Sequence, residues 1–263
     1  LLGIDVGTSS TKALLVGTEG EWRGRVVATA SASHPLHQPR AGWSEQEPAD
    51  WWDSTVRAVR ESLAAADAQG AGPKVGERVV GIGLSGQMHG SVFLSSQALA
   101  SAARGDGSRC DAVRPALLWN DQRTALQCVQ IENAAGGRAK LVEITGNAAL
   151  TGFTLPKILW LREHEPEAFA KVATVMLPKD YVRLRMTGVA ATDVGDASGT
   201  LLLDVRTRGW SRVMFDAVGL DAGLMPRVLE SAQSVGTLNA WAAEALGLPA
   251  AVIVAAGSGD NMM

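Results

Sequence analysis

The sequence predicts an α/β fold with a mixed β-sheet, on three observations. Apolar strands near the N-terminus are joined by turns too short for anything but antiparallel pairing. A long amphipathic helix then leads to another apolar strand, a crossover that makes that strand parallel within the same sheet. Beyond it, helical and strand patterns are mixed along the rest of the chain.

The first two strands are 1–6 and 11–16, around the polar turn Gly7-Thr8-Ser9-Ser10, and a third at 23–33 follows the turn Thr18-Glu19-Gly20. Val26 and Val27 suit a pleated surface, so the three form a meander. In "GWSEQEPADWWDSTVRAVRESLAAADAQG", Pro48 and Asp50 mark a helix start. Trp52, Val56, Val59 and Leu63 recur at helical spacing over about six turns. Strand 79–84 comes next. Residues 95–112, "SSQALASAARGDGSRCDA", are small and polar, which predicts an exposed surface loop between strands 91–94 and 115–119. Helical pattern occupies 155–186 and closes at Gly188. "TDVGDASGTLLLDV" reads as loop then strand, and 211–247 as short helical pieces. Residues 251–256 form an unbroken apolar run, expected as a strand buried on both faces.

Composition excludes several classes. The chain has 263 residues, 46% hydrophobic and 19% charged, with a net charge of −3. That mild acidity argues against nucleic acid as a partner, because a phosphate-backbone binder shows a basic face. Two cysteines, Cys110 and Cys128, are too few for a disulfide framework and suit a reducing compartment; neither is assigned a role. No apolar run reaches the roughly 18–20 residues that span a bilayer. Asp5 and Gly7 interrupt the only apolar stretch that could imitate a signal peptide. The expectation is a soluble, cytoplasmic protein.

Three polar glycine-bearing turns each follow a buried strand: "DVGTSSTK" at 5–12, "GLSGQMHG" at 83–90 and "GSGDN" at 257–261. Ligands in α/β sheets gather outside strand ends, so these turns are expected to share a cleft. The first has the chemistry of a phosphate cradle. Asp5 is suited to a divalent metal, Gly7 to close backbone approach, Thr8, Ser9 and Ser10 to hydroxyl contacts, and Lys12 to charge. A solvated hairpin turn has a similar composition; the acidic Asp5 in an apolar strand favours the cradle. In the last turn, Asp260 could accept a proton from an alcohol while Asn261 holds the substrate; an Asp-Asn turn bonding its own backbone is the plainer reading. His89, a lone histidine after a strand, reads by default as a structural residue. His34, His37 and His164 have no neighbours at metal-ligand spacing, so no zinc site is expected.

Taken together, "GIDVGTSSTKALLV", "WSEQEPADWW", "GLSGQMHG", "RPALLWNDQR", "GFTLPKILWLREHEPE", "LPKDYVRLRMTG", "TDVGDASGTLLLDV" and "AAGSGDN" resemble the FGGY carbohydrate kinases, in the family's order and over nearly the whole chain. The resemblance implies a ribonuclease-H-like (actin-like ATPase) domain. It implies ATP-dependent sugar phosphorylation, with ATP and Mg2+ as cofactors. Asp260 would be the catalytic base, and Asp5 the catalytic carboxylate associated with metal and phosphate. Thr8, Ser9, Ser10 and Lys12 would contact phosphate; Met88 and His89, with Asp260 and Asn261, would bind the sugar. Met88-His89 and "WNDQR" lean towards D-xylulose, with ribulose, fuculose and gluconate as alternatives.

FGGY kinases have two such domains with the active site between them. The resemblance makes residues 1–263 the N-terminal, sugar-binding domain, inactive alone, and the family's C-terminal nucleotide domain its partner. A homodimer is a further option, whereas no nucleic acid and no membrane is expected to bind. The competing readings are an actin-like or chaperone-type ATPase with no sugar acceptor, and a stand-alone sugar-binding module.

Overall fold

The computed structural model describes residues 1–70 and 74–262. β1 (Leu2–Val6), β2 (Ser10–Val16) and β3 (Val26–Ser33) form the expected antiparallel meander. α1 (Pro48–Ala68) is the crossover, with Pro48 in its first turn, where a missing N–H costs nothing. It delivers the chain to the Gly81–Gly86 strand, which lies parallel to β1. The sheet runs in the order Ser234–Thr237, Ile253–Ala255, Gly81–Gly86, β1, β2, β3. The two-residue strand Ser258–Gly259 also pairs in parallel with Gly81–Gly86.

Alternation along the strands gives the sheet two unlike faces. Leu2, Ile4, Val6, Ala13, Leu15, Ile82 and Leu84 point to one side and are buried. There they meet the apolar stripe of α1, including Trp51, Ala58, Val59 and Leu63. Each buried aliphatic side chain contributes about 1.5–3 kcal/mol. Thr11 also faces α1, and its hydroxyl pairs with Ser54 Oγ at 2.8 Å. On the opposite face Gly3 stands beside Gly83, and Asp5 beside Ser85. With no side chains at the glycines, this face carries a groove of about 720 Å3, lined also by Lys12 and Leu14.

A second apolar core, including Phe93, Leu117, Ile131, Leu141, Leu159 and Phe215, sits within a mainly helical lobe. The helices Ala125–Ala134, Arg138–Thr145, Thr154–His164 and Arg212–Val218 contribute to it. Among the described residues, no helix is long and apolar enough to cross a membrane.

Three expectations are corrected. Residues 95–112 are a surface loop only in their second half, 105–111. Ser96–Arg104 is an α-helix whose cap Ser95 accepts from the Ala98 N–H, and Gly105 closes it at φ +61. Ala98, Ala102 and Cys110 are buried. Alanine looks bland in a sequence, yet it is the strongest helix former, and small side chains four apart let the helix pack closely. The terminal run 251–256 yields only the strand Ile253–Ala255. It is not buried on both faces, because Ile253 is 51% exposed on the groove side. The segment 211–247 also holds two short strands, Arg227–Leu229 and Ser234–Thr237, besides its helices.

Candidate active site

β1, Gly81–Gly86 and Ser258–Gly259 run in the same direction, so the three polar turns leave the sheet at one end. Asp5, Ser85 and Ser258 stand in register. Ser85 Oγ donates to Asp5 Oδ1 at 2.8 Å and fixes that carboxylate. Asp260 opens the short turn Asp260–Met262 just beyond. Partial burial, and then the negative charge of Asp5, raise its pKa above the ordinary carboxylate value. The two carboxylates therefore share one electrostatic environment, and the rise makes Asp260 the better proton acceptor. Asn261 is exposed in the same turn.

The phosphate-cradle candidate is a tight hairpin. The Gly7 N–H donates to the Ser10 carbonyl at 3.1 Å, leaving Thr8 and Ser9 at the tip. Buried Gln46 donates from Nε2 to the Thr8 carbonyl at 2.7 Å, and Gln87 Nε2 donates to Gln46 Oε1 at 3.0 Å. Trp119 Nε1 donates to Thr8 Oγ1 at 3.0 Å. Ser9 is exposed. Lys12 is opposite Asp5 in the β1–β2 ladder, exposed at the groove.

Met88 is buried, and a side chain on Gly259 would land inside it. The 83–90 and 257–261 turns are thus in direct contact, which requires glycine at 259. His89 Nδ1 lies 3.0 Å from the Gly199 carbonyl, which can only accept, so Nδ1 carries the proton. Burial, and then the charge of Lys157, push the His89 pKa down to about 4. A neutral ring with the proton on Nδ1 presents Nε2 as its acceptor. His89 is therefore the structural residue of the default reading and a ligand candidate at once.

Several residues at the site escaped the sequence reading. Trp119, 48% exposed, forms a wall beside Thr8; an aromatic ending the buried strand of "RPALLWNDQR" was its signal. Gln46, Gln87 and Lys157 are buried polar groups whose partners come from distant segments, and nothing local marks them. Glu45 is likewise buried, between Arg114 and Arg123.

Beneath the Asp260 turn lies a fully buried ionic cluster. Lys179 Nζ sits 2.7 Å from Asp180, 2.7 Å from Asp193 and 3.2 Å from Asp196. Arg183 pairs with Asp180 at 2.9 Å and donates to the Ala256 and Ala191 carbonyls. Asp193 Oδ2 accepts from Ser231 Oγ and from the N–H groups of Gly195 and Asp196. The Ser231 carbonyl in turn accepts from the Gly257 N–H at 2.9 Å. The turn carrying Asp260 is thus anchored from below at Ala256 and Gly257. Of the cysteines, Cys110 is buried and Cys128 half-buried, both as free thiols. Burial pushes Cys110 up to about 11 and raises Cys128.

Asp5, which accepts from the Ser85 hydroxyl, and Asp260 are hard oxygen donors. Such a set suits Mg2+, which completes its shell with water and phosphate oxygens rather than with a protein cage.

A parallel-and-antiparallel sheet of this order, with carboxylates and a polar hairpin gathered at one end, defines an actin-like ATPase domain. The family model described as "FGGY family of carbohydrate kinases, N-terminal domain" matches residues 1–263, and the chain belongs to that family. It is 42% identical over 261 residues to the xylulose kinase of Bacillus subtilis (strain 168), covering 99% of this chain and 48% of the relative. To the xylulose kinase of Escherichia coli (strain K12) it is 41% identical over 260 residues, covering 99% and 48%. The crystal structure of a xyloylose kinase from Brucella ovis superposes with a TM-score of 0.84 at 36% identity, over 99% of this chain and 48% of that one. That of xylulose kinase from Rhodospirillum rubrum gives 0.85 at 26% identity, over 100% and 49%. The chain spans about half the length of the curated relatives it matches.

Proposed function

We propose that this chain is the sugar-binding domain of an enzyme that transfers the γ-phosphoryl group of ATP to D-xylulose, giving D-xylulose 5-phosphate. The observation that carries this reading is the direct contact of the turn bearing Met88 and His89 with the turn bearing Asp260, whose pKa is raised by partial burial and by Asp5. A C-terminal domain of the same protein holds most of the nucleotide, and the cytoplasm is the compartment.

In this reading the sugar's terminal hydroxyl lies against Asp260. The carboxylate takes its proton as the oxygen bonds to the γ-phosphorus, and ADP leaves. Phosphoryl transfer asks mostly for in-line positioning and charge neutralisation, so a modest base suffices. Asp5 would help to hold Mg2+, which would supply charge neutralisation when bound. The Thr8, Ser9 and Ser10 hairpin and Lys12 meet phosphate oxygens. His89 Nε2 accepts from a sugar hydroxyl, Met88 forms the apolar floor, and Asn261 holds the sugar in register.

The test is ATP-dependent phosphorylation by the full-length protein across D-xylulose, ribulose, fuculose and gluconate, with Asp260→Ala alongside. Activity is expected to concentrate on D-xylulose and to fall by about 10²–10⁴-fold in the variant. Preference for another sugar would reassign the substrate. ATP hydrolysis indifferent to sugar and to Asp260→Ala would replace the kinase with an actin-like ATPase.

A further inference from the structure

One residue of the 83–90 turn adopts a backbone conformation that side chains avoid. His89 has φ +65, and the Gly90 N–H donates to the Met88 carbonyl at 2.8 Å. This is a γ-turn of the positive-φ kind, strained for any residue with a Cβ. Such strain persists where the surroundings over-determine it. The His89 ring lies 4.3 Å from that of Phe153, and Nδ1 bonds the Gly199 carbonyl. The His89 carbonyl accepts twice more, from Thr154 Oγ1 at 3.2 Å and from Lys157 Nζ at 3.0 Å.

Lys157 is the unexpected partner. Its side chain is fully buried, and Nζ also donates to the Gly152 carbonyl. Among the described residues no carboxylate forms an ion pair with it. Burial lowers its pKa to about 7, with Asp121 and Cys128 opposing the fall and Arg123 adding to it. A methionine would fill the same space without burying an ammonium group. What the ammonium adds is charge-assisted hydrogen bonding to two backbone carbonyls. One belongs to the strained turn. The other belongs to Gly152, packed so closely on the Trp119 carbonyl that a side chain there would overlap it. Lys157 therefore ties the turn bearing the sugar ligand to the wall bearing Trp119.

We propose that Lys157 is a positioning residue for sugar recognition. By clamping the His89 and Gly152 carbonyls it holds the γ-turn closed and fixes the His89 ring, without itself touching substrate. This rests on the reading of the cleft as a sugar site.

The experiment compares Lys157→Met, Lys157→Gln and Thr154→Val in the full-length protein, by steady-state kinetics and by the ring 13C–1H resonance of His89, assigned with His89→Asn. Lys157→Met is expected to raise KM for D-xylulose about 10²-fold, the scale of a small misplacement, with KM for ATP unchanged. The His89 resonance should move in the same variant. Lys157→Gln, which keeps an uncharged donor, should recover part of both effects, and Thr154→Val should show a smaller change in the same direction. A His89 resonance that stays at its wild-type position in both Lys157 variants overturns the proposal, as does KM for ATP rising in step with that for the sugar. If the wild-type protein phosphorylates no sugar, the sugar-site reading falls; the resonance still decides whether Lys157 holds the turn.

Discussion

Lys157 and Lys179 are both fully buried, and the protein handles their charges in opposite ways. Lys157 bonds backbone carbonyls, and burial drives its pKa down to about 7. Burial also works against the Lys179 charge, yet Asp180, Asp196 and Asp193 outweigh it and leave its pKa above the ordinary lysine value. Depth alone does not decide whether a buried amine is charged; the partners within reach decide it. One lysine bonds the carbonyl of the His89 turn, and the other is the hub of the cluster under the Asp260 turn. The two walls of the cleft thus rest on different kinds of bond.

The sharpest way to break this contrast is to remove each ammonium in turn. Lys179→Met would leave three buried carboxylates facing Arg183 alone. The expected loss is about 3–5 kcal/mol, read by urea unfolding. Lys157→Met removes a cation with no ion pair, and its stability should change by less than about 2 kcal/mol. Comparable losses in the two variants would dissolve the distinction.

A second test uses pH. The cluster holds two cations and three carboxylates, and burial first of all raises Asp196 to about 7. Its folded pKa exceeds its unfolded value, so the folded state binds the extra proton. Its contribution to stability is complete below about pH 4 and is lost as pH rises towards 7. Asp196→Asn should flatten the stability profile there, removing a slope of at most about 1.4 kcal/mol per pH unit. Lys157 has the opposite sign. Its folded pKa lies below the unfolded one, so stability should climb from about pH 7 towards 10.5, and Lys157→Met should abolish that climb. The smallest effect belongs to Thr154→Val, which removes one neutral donor from the His89 carbonyl for about 0.5–1.5 kcal/mol, measured by thermal unfolding.

Much of the sheet was legible because local rules dictate it. Tight turns fixed the meander, helix length fixed the crossover, and glycine-bearing turns after apolar strands located the cleft. What stayed hidden depends on partners far along the chain. "LPKDYVRLRMTG" supplies Asp180 as a local partner for Lys179 and Arg183 but gives no sign that they are buried, since the other carboxylates on Lys179 lie at 193 and 196 and the carbonyls bonded by Arg183 at 191 and 256. Lys157 likewise looks like an ordinary helix residue until His89, 68 positions away, is placed on it. The helix in 95–112 was missed for a different reason: its buried face is made of alanine and serine, which carry little hydrophobic signal.

The two free thiols have a practical consequence. A thiol reacts through its thiolate, and burial keeps Cys110 and Cys128 protonated at neutral pH. Buried Cys110 should resist alkylation while the protein stays folded, and half-buried Cys128 should react slowly. A cysteine introduced at exposed Ser9 would then be the preferred target for a maleimide dye within these residues. A dye there would sit at the tip of the hairpin, where its emission would test in real time the nucleotide binding proposed for the full-length protein.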